Sequence, residues 1–252
     1  MIRTIDIYNF LNTLAPFDTQ EKWDNSGFLV GDKDAQCKKI ALCLDITSDT
    51  IEQAKQLGCD LIVSHHPVIF SKVGSFLKDD LPFKLAINGI NAICAHTCLD
   101  IAQGGVNDVL AQLLELQDVA TVCMDGVFMP RAGKLKPPMN SREFAQLVKD
   151  KLGCDSVRCS RVDKEISSVV LCGGSGASFL PDIFKDGYDA FVTGDAGHHN
   201  FLDAVENNLL LIAAGHFETE NPVMAAVKKA INDKFPEVEA VLLKQSSPIE
   251  SI

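Results

Sequence analysis

A repeat of short apolar runs is the feature of this sequence that most constrains its fold. Ile40-Ala41-Leu42-Cys43 matches Val169-Val170-Leu171-Cys172 at an offset of 129 residues. The same offset, without gaps, pairs further residues: Gly58 with Gly187, Asp60 with Asp189, Val63 with Val192, and Ser64 with Thr193. A regular recurrence of this kind indicates two copies of one structural unit.

The repeat continues into histidine and carboxylate residues. Ala95-His96 matches Gly215-His216 at an offset of 120, and this offset also pairs Asp100 with Glu220. One alternative is a chance likeness, because any two strand–helix–strand units share short apolar runs. We favour two related lobes packed about a pseudo-two-fold axis, and we expect that axis to bring the strand ends of both lobes to one cleft.

Apolar runs of strand length alternate with segments of helical character. The predicted strands are Ile40–Leu44, Asp60–Ser64, Ile90–Ala95, Val119–Cys123, Val169–Cys172, Ala190–Thr193, Leu209–Ala214 and Val238–Leu243. This alternation predicts an α/β protein with mixed, largely parallel sheets. We place the first lobe at residues 1–125 and the second at 126–252, where Met129–Gly133 and Pro137-Pro138 mark a connecting region.

Composition narrows the classes of protein to consider. The chain has 252 residues, enough for one large domain or two intertwined lobes, and 46% of them are apolar. A net charge of −11 argues against neutralising nucleic-acid phosphates or binding an anionic membrane. No run approaches the ~20 apolar residues of a membrane helix, and Asp6 interrupts any signal peptide. Nine cysteines without a C-x-x-C pair indicate reduced thiols and a cytoplasmic protein.

Histidines and carboxylates recur directly after predicted strands. They are His65 and His66 in Ser64-His65-His66-Pro67, together with His96, Asp100, His216 and Glu220. Ligands of open α/β sheets bind at the carboxyl ends of the strands. Imidazole with carboxylate suits Zn, Fe, Mn, Ni or Co better than Mg or Ca. Any one of these histidines alone would be read as a core or loop residue, but the set indicates a metal site.

The two adjacent histidines suggest two metal ions. Neighbouring side chains on an extended chain diverge, so we expect His65 and His66 to serve different ions. Asp100 and Glu220 are the natural bridging ligands. Two divalent ions about 3.5–4 Å apart can activate water and stabilise an oxyanion.

Two other features have weaker interpretations. His198-His199 begins a predicted helix, where it is either a ligand, a supporting or proton-shuttling group, or part of a polar surface. Gly173-Gly174-Ser175-Gly176 could cradle an anion at a helix start, but it lacks the Lys of a P-loop, so a tight turn is favoured.

Several motifs together resemble the GTP cyclohydrolase 1 type 2 homolog family, also called Nif-three-like. They are Trp23–Gly27, Ser64–Pro67, His96–Asp100, Gly104–Asn107, Thr193–Asp195 and Gly215–Glu220. The resemblance runs nearly end to end. It implies two intertwined lobes, a ring-shaped homohexamer and two divalent ions per chain. It also implies that His65, His66, Asp100, His216 and Glu220 are the metal ligands, with His96 and His199 near the site.

Three hypotheses follow for the function. The first is a metal-dependent hydrolase acting on a cyclic amide, C–N or phosphoester bond, including one in a nucleotide such as GTP, with His96 or His199 transferring a proton. The second is a non-enzymatic metal-handling or regulatory scaffold. The third is a structural α/β protein whose histidines are incidental.

Overall fold

A computed structural model describes residues 1–250, and the chain forms two compact units. The first unit comprises residues 1–105 and 223–246, and the second comprises residues 106–222 with the short segment 247–250. The first unit is therefore discontinuous, because the chain leaves it at Gly105 and returns at Val223.

The described residues form eleven strands and ten α-helices. The strands are β1 (Gly27–Val30), β2 (Lys39–Cys43), β3 (Leu61–Ser64), β4 (Asn91–Cys94), β5 (Gln117–Thr121), β6 (Arg131–Asn140), β7 (Arg158–Cys159), β8 (Glu165–Cys172), β9 (Ala190–Thr193), β10 (Leu210–Ala213) and β11 (Glu239–Leu242). The helices are α1 (Thr4–Leu14), α2 (Ser48–Gln56), α3 (Leu81–Ile87), α4 (Thr97–Ile101), α5 (Val106–Leu113), α6 (Ser141–Leu152), α7 (Leu180–Asp186), α8 (His198–Glu206), α9 (His216–Glu220) and α10 (Val223–Lys234).

Each unit contains one mixed sheet. The first sheet has the strand order β1-β4-β3-β2-β11, in which only β1 is antiparallel to its neighbour. The second has the order β5-β6-β8-β9-β10-β7, in which β8, β9 and β10 are parallel and the others antiparallel. The predicted α/β class with mixed sheets is confirmed.

The central strands read as continuous apolar runs because helices cover the sheet. In the second unit, Val169 and Leu171 of β8 belong to an apolar cluster with Phe144 of α6. Val170 of the same strand points the other way, into a cluster with Ile183 of α7. A strand buried on both faces has no polar alternation, which explains why strand length and flanking turns were the only usable signals.

The repeat is visible in the strand pairing. Ile40 of β2 pairs with Leu61 of β3, and Val169 of β8 pairs with Ala190 of β9, so both pairs keep the offset of 129. Asp60 and Asp189 also have the same role. Each accepts hydrogen bonds from two consecutive backbone amides at the start of the preceding strand, namely Lys38 and Lys39, or Ser167 and Ser168.

The later part of the repeat needs a correction of one residue. Ser64 pairs with Cys94, and Thr193 pairs with Ala213, which sets the offset between β4 and β10 at 119. The following helices keep it, since α4 runs from Thr97 to Ile101 and α9 from His216 to Glu220. Asp100 is therefore equivalent to Thr219, and the expected pairing of Asp100 with Glu220 is wrong.

Two further expectations differ from the observed elements. The region expected to be a connection is the long strand β6, which pairs with β5 and β8 and is interrupted between Lys134 and Met139, where Pro137-Pro138 lies. The lobe boundary was placed at 125/126, whereas the compact units divide at 105/106. They divide there because α5 contacts β6 and β8, while β11 pairs with β2.

All nine cysteines are free thiols. Among the described residues, no helix has both the length and the apolar character needed to cross a membrane.

Candidate functional site

The parallel strands of the first unit deliver polar residues to one edge of its sheet. Asp45 follows β2, the pair His65 and His66 follows β3, and His96 follows β4. Because β2, β3 and β4 are parallel, their carboxyl ends lie at the same edge. This arrangement brings together the histidines of the first unit that the sequence identified.

His65 is fully buried, with its ring orientation fixed. Its Nδ1–H donates to the Ala95 carbonyl at 2.9 Å, which leaves the lone pair of the ring on Nε2. Nε2 lies 3.6 Å from Oδ1 of Asp100, a residue of α4 that is only 6% exposed. A buried imidazole beside a buried carboxylate is a donor set suited to a divalent cation.

Carboxylates orient the other two imidazoles of the first unit. His66 Nδ1–H donates to Asp45 at 2.7 Å, and His96 Nδ1–H donates to Asp24 at 2.8 Å. In the neutral form of either ring the lone pair therefore lies on Nε2. This carboxylate–histidine arrangement is the usual support of metal-ligating imidazoles, since it fixes the tautomer and raises ligand basicity.

Asp24 has an ionised side chain in a buried position. Burial raises the pKa of this carboxyl, but hydrogen bonds from His96, Thr97 and the Asn25 amide outweigh it, and the pKa lies well below its usual value. Both the amide and the hydroxyl of Thr97 donate to the same oxygen, at 3.0 and 2.6 Å. Asp24 thus remains an acceptor for the His96 ring at neutral pH.

The three histidines form one cluster. One nitrogen from each of His65, His66 and His96 can be chosen so that all three lie within 4.8 Å of one another. Two nitrogens on one tetrahedral zinc ion would be about 3.4 Å apart, so modest movement would permit a shared ion. The division of His65 and His66 between two ions stays a prediction, and His96 joins the possible ligands.

In the second unit, His216 and Glu220 lie on α9. His216 Nε2 lies 3.1 Å from Glu220, and its Nδ1 lies 2.6 Å from Asp195, which follows β9. The hydrogen bond and charge of Glu220, aided by Asp195, outweigh burial and raise the pKa of His216 to about 9. Without a bound cation, this ring is an imidazolium that donates to two carboxylates.

The Gly173–Gly176 loop packs against α9 and is not an anion cradle. The amides of Gly173, Gly174 and Gly176 donate to side-chain oxygens of Asn107, Thr219 and Thr193. Gly174 has a φ of +61°, and a Cβ there would lie 2.1 Å from Oε1 of Glu220. Glycine at this position lets the backbone approach the Glu220 carboxylate.

The remaining predicted residue, His199, lies on the exposed first turn of α8 beside His198. Among the described residues, neither histidine belongs to a group that could hold a metal. The sequence alone assigns no role to the orienting carboxylates Asp24, Asp45 and Asp195, although Asp24 and Asp195 lie in motifs that carry the family resemblance. A signal existed for Asp195, which the repeat aligns with His66, and for Asp45, which follows a predicted strand.

The donor set fits a divalent transition metal. In the first unit, oriented imidazole nitrogens occur with the nearly fully buried Asp100, 6% exposed, and in the second unit His216 lies beside Glu220, which is 4% exposed. Nitrogen with oxygen ligands favours Zn, Fe, Mn, Ni or Co, whereas Mg and Ca prefer oxygen alone.

Relatives with solved structures have the same fold. A hypothetical protein of Staphylococcus aureus is 26% identical, with a TM-score of 0.92 and 99% of both chains covered. HcgD of Methanocaldococcus jannaschii is 27% identical, with a TM-score of 0.84 over 97% of this chain and 98% of that one. A Bacillus cereus protein related to NIF3 is 19% identical and shows the fold alone, with a TM-score of 0.94 over 100% and 99%.

Sequence relatives agree in name. A Clostridium perfringens protein called GTP cyclohydrolase 1 type 2 homolog is 33% identical over 259 aligned positions, which cover 98% of each chain. One of the same name from Clostridium acetobutylicum is 32% identical over 240 positions, covering 91% of this chain and 90% of the relative. The sequence profile of Duf34/NIF3 (NGG1p interacting factor 3) matches residues 2–248. The chain therefore belongs to the Duf34/NIF3 family.

Proposed function

We propose that this protein is a metal-dependent hydrolase that binds two divalent ions per chain. The proposed ligands are His65, His66 and Asp100 from the first unit, and His216 and Glu220 from the second. The carrying observation is the tautomer of the first-unit histidines, whose Nδ1–H groups donate to a carbonyl or to carboxylates, so that Nε2 has the lone pair.

The chain also supplies a group for proton transfer. Divalent ions bound by such ligands lower the pKa of water and stabilise negative charge that develops during attack. His96 is the proposed proton carrier, because the ionised Asp24 holds its ring so that Nε2 can accept a proton and Nδ1–H stays in place. His199 is the second candidate.

The proposed substrates contain a cyclic amide, C–N or phosphoester bond, and include nucleotides such as GTP. This choice is supported by the bond classes that such metal sites hydrolyse and by the name of the curated relatives. The proposal includes assembly into a ring-shaped homohexamer. Light scattering after size-exclusion chromatography tests that assembly, and the expected molar mass is six times that of one chain.

Metal content tests the ligand set. Elemental analysis of protein purified under mild conditions should give about two divalent ions per chain. His65→Ala and His216→Ala should each lower that number, whereas His198→Ala, an exposed histidine outside the set, should keep it. Fewer than one ion in the unmodified protein would contradict the proposal.

Turnover separates an enzyme from a scaffold. A panel of cyclic amides, nucleotides and phosphoesters is offered to metal-loaded protein. Activity that Asp100→Ala or Glu220→Ala abolishes, with circular dichroism unchanged, supports the hydrolase. A fully loaded protein that turns over no member of the panel would instead support a metal-handling or regulatory role.

A further inference from the structure

Two exposed aromatic rings lie beside His96. Trp23, the single tryptophan of the chain, is 57% exposed, and Phe70 is 53% exposed. Their ring centroids are 5.8 Å apart with an interplanar angle of 33°. The His96 ring lies 5.8 Å from Trp23 and 6.1 Å from Phe70. Large apolar rings that remain exposed in a group are a common sign of a binding surface.

Hydrogen bonds to neighbouring residues hold both rings in position. Trp23 precedes Asp24, whose fully buried side chain accepts from His96 and Thr97. Phe70 follows Ile69, whose carbonyl accepts from the side-chain amide of Asn25 at 2.6 Å. The two segments that present the rings are thus tied to each other and to the histidine cluster. A ligand that binds there does not have to order them first.

We propose that Trp23 and Phe70 form an aromatic platform that binds a planar heteroaromatic ring of the nucleobase class. Trp23 and Phe70 already contact each other, so the ligand ring stacks on the open face of the indole instead of inserting between them. Base stacking on an aromatic side chain contributes about 1–3 kcal/mol and tolerates different bases. A sugar or an aliphatic chain has no π-face of its own and would not gain this base-stacking energy.

The position of the platform matches the proposed chemistry. His96 contacts both rings of the platform and also lies 5.2 and 5.4 Å, between ring centroids, from His65 and His66. A base stacked on Trp23 would therefore place the rest of the molecule near the three imidazoles. The inference deepens the proposed hydrolase and rests on it, because it names the class of molecule that carries the bond to be cleaved.

The single tryptophan makes the platform directly measurable. GMP and AMP are titrated against the full-length, metal-loaded protein, with emission of Trp23 as the readout and ribose 5-phosphate as the probe without a base. Saturable quenching by both nucleotides and none by ribose 5-phosphate is expected. Phe70→Leu removes the ring that packs against the indole and fixes its orientation, so it should raise the Kd for GMP about tenfold, which corresponds to about 1.4 kcal/mol. Phe76→Leu, an exposed aromatic of the same loop outside these ring contacts, should leave the Kd unchanged.

Several results would overturn the platform. They are quenching that does not saturate, equal affinity in the Phe70→Leu and unmodified proteins, and quenching by ribose 5-phosphate. A fourth is a Trp23 emission maximum at short wavelength in the ligand-free protein that moves to longer wavelength on dilution. That result would mean that a second copy of the chain covers Trp23.

The same samples distinguish failure of the platform from failure of the hydrolase. Metal content and turnover are measured beside the titration, and the titration is repeated on metal-free protein. Saturable quenching by a protein that holds fewer than one ion per chain as purified, and that turns over no member of the panel when loaded, keeps the platform and refutes the hydrolase. Two ions per chain and turnover, without saturable quenching, keep the hydrolase and refute the platform.

Discussion

At the residue scale, the polar groups around the histidines differ in how visible they are in the sequence. Four histidines could be identified because each comes within three residues of the end of a strand: His65, His66, His96 and His216. The carboxylate that orients His96 could not, because Asp24 lies 72 positions away and meets the ring only through the folding of an early loop. A sequence pattern shows which residues reach a sheet edge but does not show which side chains fix their tautomers.

His216 gives a prediction about pH. Glu220 and Asp195 raise the pKa of this ring to about 9, so NMR of the metal-free protein should show the His216 ring titrating near that value. This ion pair stabilises the fold fully below the ordinary histidine pKa of about 6.5, and the contribution is lost as pH rises through 9. A metal at Nε2 must displace this proton, so metal affinity at His216 should increase from pH 6.5 to 9.

Two substitutions in α9 test the cause of the shift. Glu220→Gln should bring the His216 pKa down toward its ordinary value, because it removes the carboxylate whose hydrogen bond, and then whose charge, raise that pKa most. Glu218→Gln removes a carboxylate from the same helix that is not among the causes, so the pKa should stay near 9. A His216 pKa that is unaffected by Glu220→Gln would refute the assigned cause.

At the element scale, the repeat accounts for the pairing of four of the predicted strands. β2 with β3 and β8 with β9 have the same offset and the same pairing, and each pair is anchored by an aspartate at the start of its second strand. The sequence does not predict β6, because Pro137-Pro138 is typical of a loop. The strand is held on both sides of this interruption by its pairing with β8. The offset of 120 is wrong because short motifs can be aligned equally well one residue apart. The pairing of the strands allows only the offset of 119.

The loop after β8 gives a prediction for Gly174→Ala. A Cβ at this position would collide with the Glu220 carboxylate, which has to move. The left-handed φ of +61° adds about 1–2 kcal/mol of destabilisation. We expect the variant to bind less metal in elemental analysis and to unfold at a lower urea concentration.

Gly187→Ala is the matched control. Its φ of +72° gives a similar backbone penalty, but nothing lies within 4 Å of the added Cβ. This variant should lose a similar amount of stability and keep its metal. Equal metal content in the two variants would show that the approach of Gly174 to Glu220 does not matter for binding.

At the scale of the whole molecule, chain order and compact units do not coincide. The last helix and strand, α10 and β11, return to the first unit, where β11 extends the sheet beside β2. The sequence predicted intertwined lobes only through its family resemblance, since no local pattern shows which of two similar sheets a C-terminal strand will join.

This connectivity predicts where a C-terminal substitution acts. Ile231 of α10 is fully buried, and its helix contacts β2 and β11. Ile231→Ala should cost about 2–5 kcal/mol, and hydrogen exchange read by mass spectrometry should accelerate in residues 39–43 and 61–64 but not in 165–172. Ile183→Ala, an equally buried change in α7 of the second unit, should give the opposite pattern. Equal acceleration in both sheets for Ile231→Ala would contradict the division, because the stability lost belongs to the unit in which the side chain is buried.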